Sequence, residues 1–257
     1  MAGTVRLSRP APGIARLELS QPARRNALSS EMWEAIPRHL DGLDARVLLV
    51  SGEGDHFAAG ADISEFETLY ATPESAKTAS ERIARALDAV AEFPAPTVAV
   101  VRGACVGGGA GLALACDMRF ADTTARFAIT PAKLGLVYPF ADVVRLAGAV
   151  GVARAKDILL SARVVDAGEA DRMGLWTRLL PPDELGTEAM RYATDLAALS
   201  PESLRATKAM FRRLETGQRT GTPETDALFL DGFASDDFQE GFRAFLEKRK
   251  PEFGDAT

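Results

Sequence analysis

The sequence predicts an α/β protein: layered strands and helices through residues 1–194, then a purely helical stretch over 195–257. Three observations predict it. Short apolar runs of strand length, 47–50 and 97–101, alternate with longer segments whose apolar residues recur every three or four positions. That alternation belongs to strands covered by helices. Strand signals then stop after Leu180. Finally, 257 residues with 47% apolar and 26% charged side chains can bury one sizeable core.

The elements follow in order. Residues 5–8 and 14–20 read as a hairpin around the turn at Pro10 to Gly13; Ala15, Leu17 and Leu19 share one face of its second arm. A helix begins near Ser30 with Met32, Ile36, Leu40 and Leu43 on one stripe, and Pro37 inside it should kink or shorten it. Residues 80–93 form the next helix, with Ile83, Leu87 and Val90 aligned and a stop at Pro94 and Pro96. Further on, 107–115 reads as a short helix, 118–121 and 126–129 as strands, and 142–149 and 152–161 as helices. The tail supplies helices at 182–199, 201–214, 223–233 and 236–250. It carries Phe229, Leu230, Phe233, Phe238, Phe242 and Phe245, which must pack either on the chain's own core or on another subunit.

Composition removes several function classes. The chain holds 30 basic and 36 acidic residues, net −6. A nucleic-acid binder usually shows a basic footprint, so no nucleic-acid partner is expected. There is no apolar stretch of membrane-spanning length and no apolar leader after the first residues, so a cytoplasmic protein without a membrane partner is expected. Cys105 and Cys116 sit in an Ala/Gly-rich stretch outside any CxxC and read as buried free thiols. With only His39 and His56, neither a metal centre nor a Ser-His-Asp triad has support, and no metal is expected.

Chemistry is suggested by two stretches. Each follows a buried strand: DHFAAGAD from Asp55 to Asp62, and GACVGGGAGLALACD from Gly103 to Asp117. Small residues there let a ligand approach the backbone. A glycine run opening a helix leaves N–H groups bare, in a place that favours negative charge. The spacing fits neither GxGxxG nor GxxxxGK[ST]. Two such turns can converge on one developing oxyanion.

Together with RNALS from Arg25 to Ser29, SARVVDAGEA from Ser161 with Gly174 and Leu175, and EGFRAFLEKR from Glu240 to Arg249, these stretches resemble the crotonase superfamily, the enoyl-CoA hydratase/isomerase family, over nearly the whole chain. The resemblance implies a spiral of repeated ββα units with a C-terminal helical trimerisation region. It also implies a homotrimer or dimer of trimers, and an acyl-CoA thioester substrate. No separate cofactor is implied, coenzyme A being part of the substrate. It implies that the N–H groups of Ala61 and Gly108 form the oxyanion hole. Arg25 (or Arg24), Ala27, Ala59, Asp62 and Ile63 are implied along the coenzyme A path. Phe245 and Lys248 are implied at the nucleotide end of coenzyme A on a neighbouring subunit.

The departures from the family pattern are as informative. Hydratases of this family carry one glutamate where this chain has Gly111 and a second where it has Pro131. Water addition needs an acid and a base, so a decarboxylation, which generates its enolate by losing CO₂, is the expected reaction. The stretch TPAKLGLVY ending at Tyr138 resembles the corresponding stretch of methylmalonyl-CoA decarboxylases of the superfamily, although Ala61 stands where those carry histidine. Tyr138 would donate a hydrogen bond or proton. Two alternatives are a hydratase or isomerase using a substitute acid, Asp142 or Glu65, and a non-catalytic acyl-CoA binder. For Asp142, helix capping is the simpler role.

Overall fold

The structure, a computed structural model, describes residues 3–254. Met1, Ala2 and 255–257 lie outside the described residues, including the first of the N-terminal residues discussed above. The chain opens with β1 (Thr4–Ala11) antiparallel to β2 (Ile14–Ser20). The ladder runs past Pro10, so the turn tightens to Pro12 and Gly13. Next come α1 (Ser30–Leu40) and β3 (Val47–Gly52). Helix α1 continues three residues beyond Pro37, because capping by Ser29 and burial of Met32, Trp33, Ile36 and Leu40 hold it. The helix nonetheless ends at Leu40, short of Leu43 on the expected stripe.

After β3 come α2 (Phe66–Leu69) and α3 (Pro73–Ala91). Helix α3 starts earlier than its apolar stripe suggested. Thr72 and Ser75 form a reciprocal capping box, and Pro73 occupies the first turn, so capping extends the helix into an exposed region without apolar periodicity. β4 (Thr97–Val101), β5 (Ala104–Val106), α4 (Gly108–Ala115), β6 (Met118–Asp122) and β7 (Arg126–Ala128) follow. Then come α5 (Phe140–Val150), α6 (Val152–Ser161), β8 (Val164–Asp166), α7 (Ala167–Arg172) and β9 (Arg178–Leu180). β5, β8 and β9 have three residues each, too short to show a period in sequence. The tail holds α8 (Leu185–Ala197), α9 (Pro201–Glu215), α10 (Pro223–Asp231) and α11 (Asp236–Glu247).

Six strands form the main sheet in the order β1-β2-β3-β4-β6-β9, parallel from β2 onward. A second sheet has the order β5-β7-β8. The main sheet is covered on both faces, which explains why β3 and β4 are continuously apolar. Leu48 and Val50 face the core built with α1, α3 and α4. Val47 and Leu49 face the other way, with Val98 and Phe120, onto Leu185, Ala189 and Ala193 of α8. Helix α8 is therefore a layer of the core, and the expected division at 194/195 falls inside it. α9 and the chain end are tied to the core by Lys208 to Asp117 (2.7 Å) and by Arg46 to the Phe253 carbonyl (2.8 Å). Both cysteines are buried and unpaired, and burial pushes the Cys116 thiol up to about 12.

Candidate active site

Three segments flagged by the sequence lie side by side. The Leu28 N–H donates to the Gly60 carbonyl at 2.7 Å, and Asp62 N–H returns to Leu28 at 2.9 Å. Ala58 pairs with the β5 side in the same way: its N–H donates to Ala104, and Val106 N–H donates back to Ala58, both at 2.9 Å. These two parallel bridges bring 26–28, 58–62 and 104–106 into one narrow ladder. Asn26 locks the first edge. It is fully buried with φ 56°; its Oδ1 accepts from Gln21 N–H, and its Nδ2 donates to the carbonyls of Glu53 and His56. The asparagine of the RNALS stretch is thus a staple between loops. A buried amide partnering three backbone groups could not be inferred from sequence alone.

At the end of this ladder Gly107 turns the chain into α4 with φ 53° and ψ −113°, a conformation that favours glycine. Its own N–H donates to Ala128 at 2.8 Å, which anchors the turn to β7. The N–H groups of Gly108 and Ala61 have no acceptor among the described residues. They are close neighbours: a Cβ placed on Gly108 would lie 3.8 Å from the Ala61 nitrogen, and one on Gly60 would lie 3.9 Å from the Gly108 nitrogen. Helix α4 is buried almost throughout, so its dipole acts at this turn with little solvent screening. Two unmade amides at a helix start can receive one negatively charging oxygen.

The place beside Gly111 is filled. A Cβ there would stand 3.3 Å from the Tyr138 hydroxyl and 3.5 Å from Leu87 Cδ1. The Tyr138 hydroxyl also reaches toward the Gly107 carbonyl at 3.5 Å. Burial pushes its pKa well above the ordinary 10, and the nearby Asp142 charge adds to that. Tyr138 therefore stays protonated. Pro131 begins a short 3₁₀ turn, Pro131–Leu134, and contributes no titratable group.

Asp142 is not a helix cap. Pro139 is the N-cap of α5, and Asp142 lies in the first turn, 4% exposed. Arg145 bridges it (2.8 Å) to Asp88 of α3 (2.7 Å). Burial raises the Asp142 pKa, and Arg145 offsets part of that. Glu65 is occupied elsewhere: its Oε2 accepts from both N–H and Oγ of Ser30 at 2.8 Å, capping α1.

The residues implied along the coenzyme A path divide into groups. Arg25 is exposed, in the left-handed region, and lines a cleft with His56, Arg102 and Arg126. Its carbonyl accepts from Ala59 N–H. Ala27 is buried, Ala59 half-buried, and Ile63 is 73% exposed beside Ala61. Asp62 has an internal side chain that lines the cavity at Ala61. Burial would raise its pKa, but hydrogen bonds from Ser64, Arg24 and Gln21 outweigh that and hold it below the ordinary value. Arg24 is committed to it at 2.7 Å, which leaves Arg25 as the arginine outside that pair. Phe245, 80% exposed, and Lys248, the left-handed C-cap of α11, line neither the Arg25 cleft nor the cavity at Ala61. His39 is half-buried against the Val5 carbonyl at 3.0 Å. Trp33 was missed: sequence spacing marks it only as a helix residue, yet it packs against Gly108 and lines the cavity beside Ala61.

A two-sided, mostly parallel sheet whose loops bring two bare amides together on a glycine-opened helix is the architecture of the crotonase superfamily. The chain belongs to the enoyl-CoA hydratase/isomerase family, whose pattern matches residues 10–256. An enoyl-CoA hydratase/isomerase family protein from Hyphomonas neptunium is 49% identical, with a TM-score of 0.94 over 98% of each chain. A Thermus thermophilus protein provisionally named an enoyl-CoA hydratase is 39% identical over 93% of this chain and 97% of its own length. The mitochondrial methylglutaconyl-CoA hydratase of Mus musculus is 31% identical over 94% of this chain and 79% of its own.

Proposed function

We propose that this enzyme decarboxylates a malonyl-type acyl-CoA through an enolate. One observation carries the reading: the Tyr138 hydroxyl fills the space over Gly111, which with Pro131 stands where the family resemblance implies the hydratase glutamates. The bond from the α-carbon to the carboxylate breaks, CO₂ leaves, and the electron pair flows onto the thioester oxygen. The N–H groups of Ala61 and Gly108 receive that oxygen as it gains charge. An oxyanion donor acts mainly in the transition state, where the charge appears. Tyr138 gives a proton to the α-carbon and recovers one from solvent. The overall change is one proton taken up and one CO₂ released per acyl-CoA formed. No base is needed, which suits a site whose titratable neighbour is a protonated phenol.

Arg25, with Ala27, Ala59 and Ile63, is proposed to bind the coenzyme A portion. The exposed aromatic face of α10 and α11 is proposed to close a trimer or dimer of trimers. Its rings already meet edge to face in series, Phe229 against Phe233 at 5.3 Å and Phe233 against Phe238 at 5.6 Å, which leaves a pre-organised apolar surface on one protomer.

The test is a substrate comparison. Methylmalonyl-CoA should release CO₂, and crotonyl-CoA should not be hydrated at a comparable rate. Efficient hydration of crotonyl-CoA without CO₂ release from methylmalonyl-CoA overturns the reading. A second reading, hydration with a substitute acid, is favoured by the buried Asp142 carboxyl, whose pKa is raised, and by the hydratase names of the relatives. It requires Asp142→Asn to abolish hydration.

A further inference from the structure

The indole nitrogen of Trp33 is a buried donor with no acceptor. Trp33 is 2% exposed on α1, and its Nε1–H has no hydrogen-bond partner among the described residues. A buried tryptophan N–H normally finds an acceptor, because leaving it unmade forfeits its hydration. Its surroundings indicate where an acceptor belongs. A Cβ built on Gly108 would meet Trp33 Cζ2 at 2.8 Å, and the same point lies 3.8 Å from the Ala61 nitrogen. Cζ2 and Cη2, on the benzo edge of the indole, are the ring atoms nearest that point, at 2.8 and 3.4 Å; Cζ2 is two bonds from Nε1, so the unmatched N–H lies one ring position away from that edge. Trp33 also lines a cavity with Ala61, Leu69, Tyr70 and Ile83.

A carbonyl oxygen has two lone pairs. Bound to Ala61 and Gly108, a thioester oxygen would have both engaged. In the bound ground-state ester, a third donor at the same place therefore meets a different oxygen. We propose that Trp33 Nε1–H is a specificity donor that hydrogen-bonds an oxygen carried by the acyl chain beyond the thioester carbonyl. The site then favours acyl-CoA esters bearing a hydroxyl or carboxylate over plain hydrocarbon ones. This rests on the acyl-thioester reading of the site and is independent of which reaction follows. The wall also holds Arg82, which forms an ion pair with Glu34 at 2.8 Å although its Nε makes no hydrogen bond. The cavity therefore offers a neutral donor beside a compensated ion pair. A neutral donor can orient a carboxylate without an ion pair that would stabilise the ground state more than the transition state.

The experiment is calorimetric titration of the full chain with three esters of equal chain length: butyryl-CoA, 3-hydroxybutyryl-CoA and succinyl-CoA. None has an α-carboxylate, so decarboxylation does not intervene. At least one oxygenated ester should bind about tenfold more tightly than butyryl-CoA, the equivalent of one well-made hydrogen bond. Which one does so separates hydroxyl from carboxylate. Trp33→Phe should bring the preferred ester down to the level of butyryl-CoA, so that the ratio of their two Kd values falls from about ten to about one. Equal binding of all three by the wild type overturns the proposal without any variant. So does equal weakening of all three by Trp33→Phe, which would mean that the ring only fills space. If none of the esters binds, the acyl-thioester reading falls with it. If the preference holds and methylmalonyl-CoA releases no CO₂, only the decarboxylation falls.

Discussion

The Tyr138 hydroxyl stands over Gly111, 3.3 Å from where a Cβ on that glycine would lie. A longer side chain at 111 would have to displace the phenol, so the absence of one acid and the presence of one tyrosine are a single structural choice. Under the proposed mechanism, Tyr138→Phe should lower kcat for CO₂ release by about 10²–10⁴, the usual worth of a general acid. KM should change little, since the ring body remains. Because burial pushes the hydroxyl well above 10, the wild-type rate should show no downward limb from this residue below pH 10. A pH profile of CO₂ release checks both statements.

Gly108→Ala tests the amide pair. The new methyl would meet Trp33 Cζ2 at 2.8 Å and stand 3.8 Å from the Ala61 nitrogen, between the two donors. Turnover should fall by about 10²–10³, corresponding to loss of one oxyanion donor. Circular dichroism should report an unchanged fold.

Gly109→Ala should act on stability. Its Cβ would lie 2.5 Å from the Ala58 carbonyl oxygen, which is backbone and hydrogen-bonded to Val106. Forcing α4 away from that strand should cost about 1–3 kcal/mol. Chemical denaturation of the variant measures it directly.

Asp62 makes stability depend on pH. Its folded pKa is held below the ordinary carboxylate value, so its contribution is present above that value and is lost as pH falls through the lowered one. Asp62→Asn should therefore destabilise at neutral pH, where the Ser64 and Arg24 contacts weaken; its cap alone is worth about 0.5–2 kcal/mol. The gap between wild type and variant should shrink below about pH 4. Thermal melts of both proteins across pH 3 to 7 would reveal a gap that fails to close.

Phe229, Phe233 and Phe242 are 62%, 51% and 54% exposed in the single chain. If they close a trimer, sedimentation should give a mass that is a multiple of three chains. Phe242→Glu should shift it toward the monomer by burying an unpaired charge. A wild-type monomer would refute the proposed assembly.

Much of the fold was legible because its signals are local. The continuously apolar β3 and β4, the glycine-opened α4 and the proline-initiated α9 and α10 each carry their own pattern. Of the three-residue strands, β7 was legible within 126–129; β5, β8 and β9 were not, since they exist only through partners distant in the chain. The early start of α3 depends on the side-chain cap at Thr72 rather than on apolar periodicity. Within the site, the two amide-bearing turns could be read from small residues after strands. The roles of Asn26, Asp62, Glu65 and Trp33 could not, because each is set by what lies across a loop.

By itself, the sequence determined the α/β layering, since local apolar patterns suffice for it, and its motifs carried the resemblance to the family, which implies that Gly111 and Pro131 replace the hydratase glutamates. Only the tertiary structure decided that Tyr138 fills the gap over Gly111, that Asp62 faces inward and that the Trp33 N–H is left unmatched beside two bare amides. Hydrogen-bond satisfaction is a property of groups brought together in space, and residues tens of positions apart meet at this site only after the strands have paired.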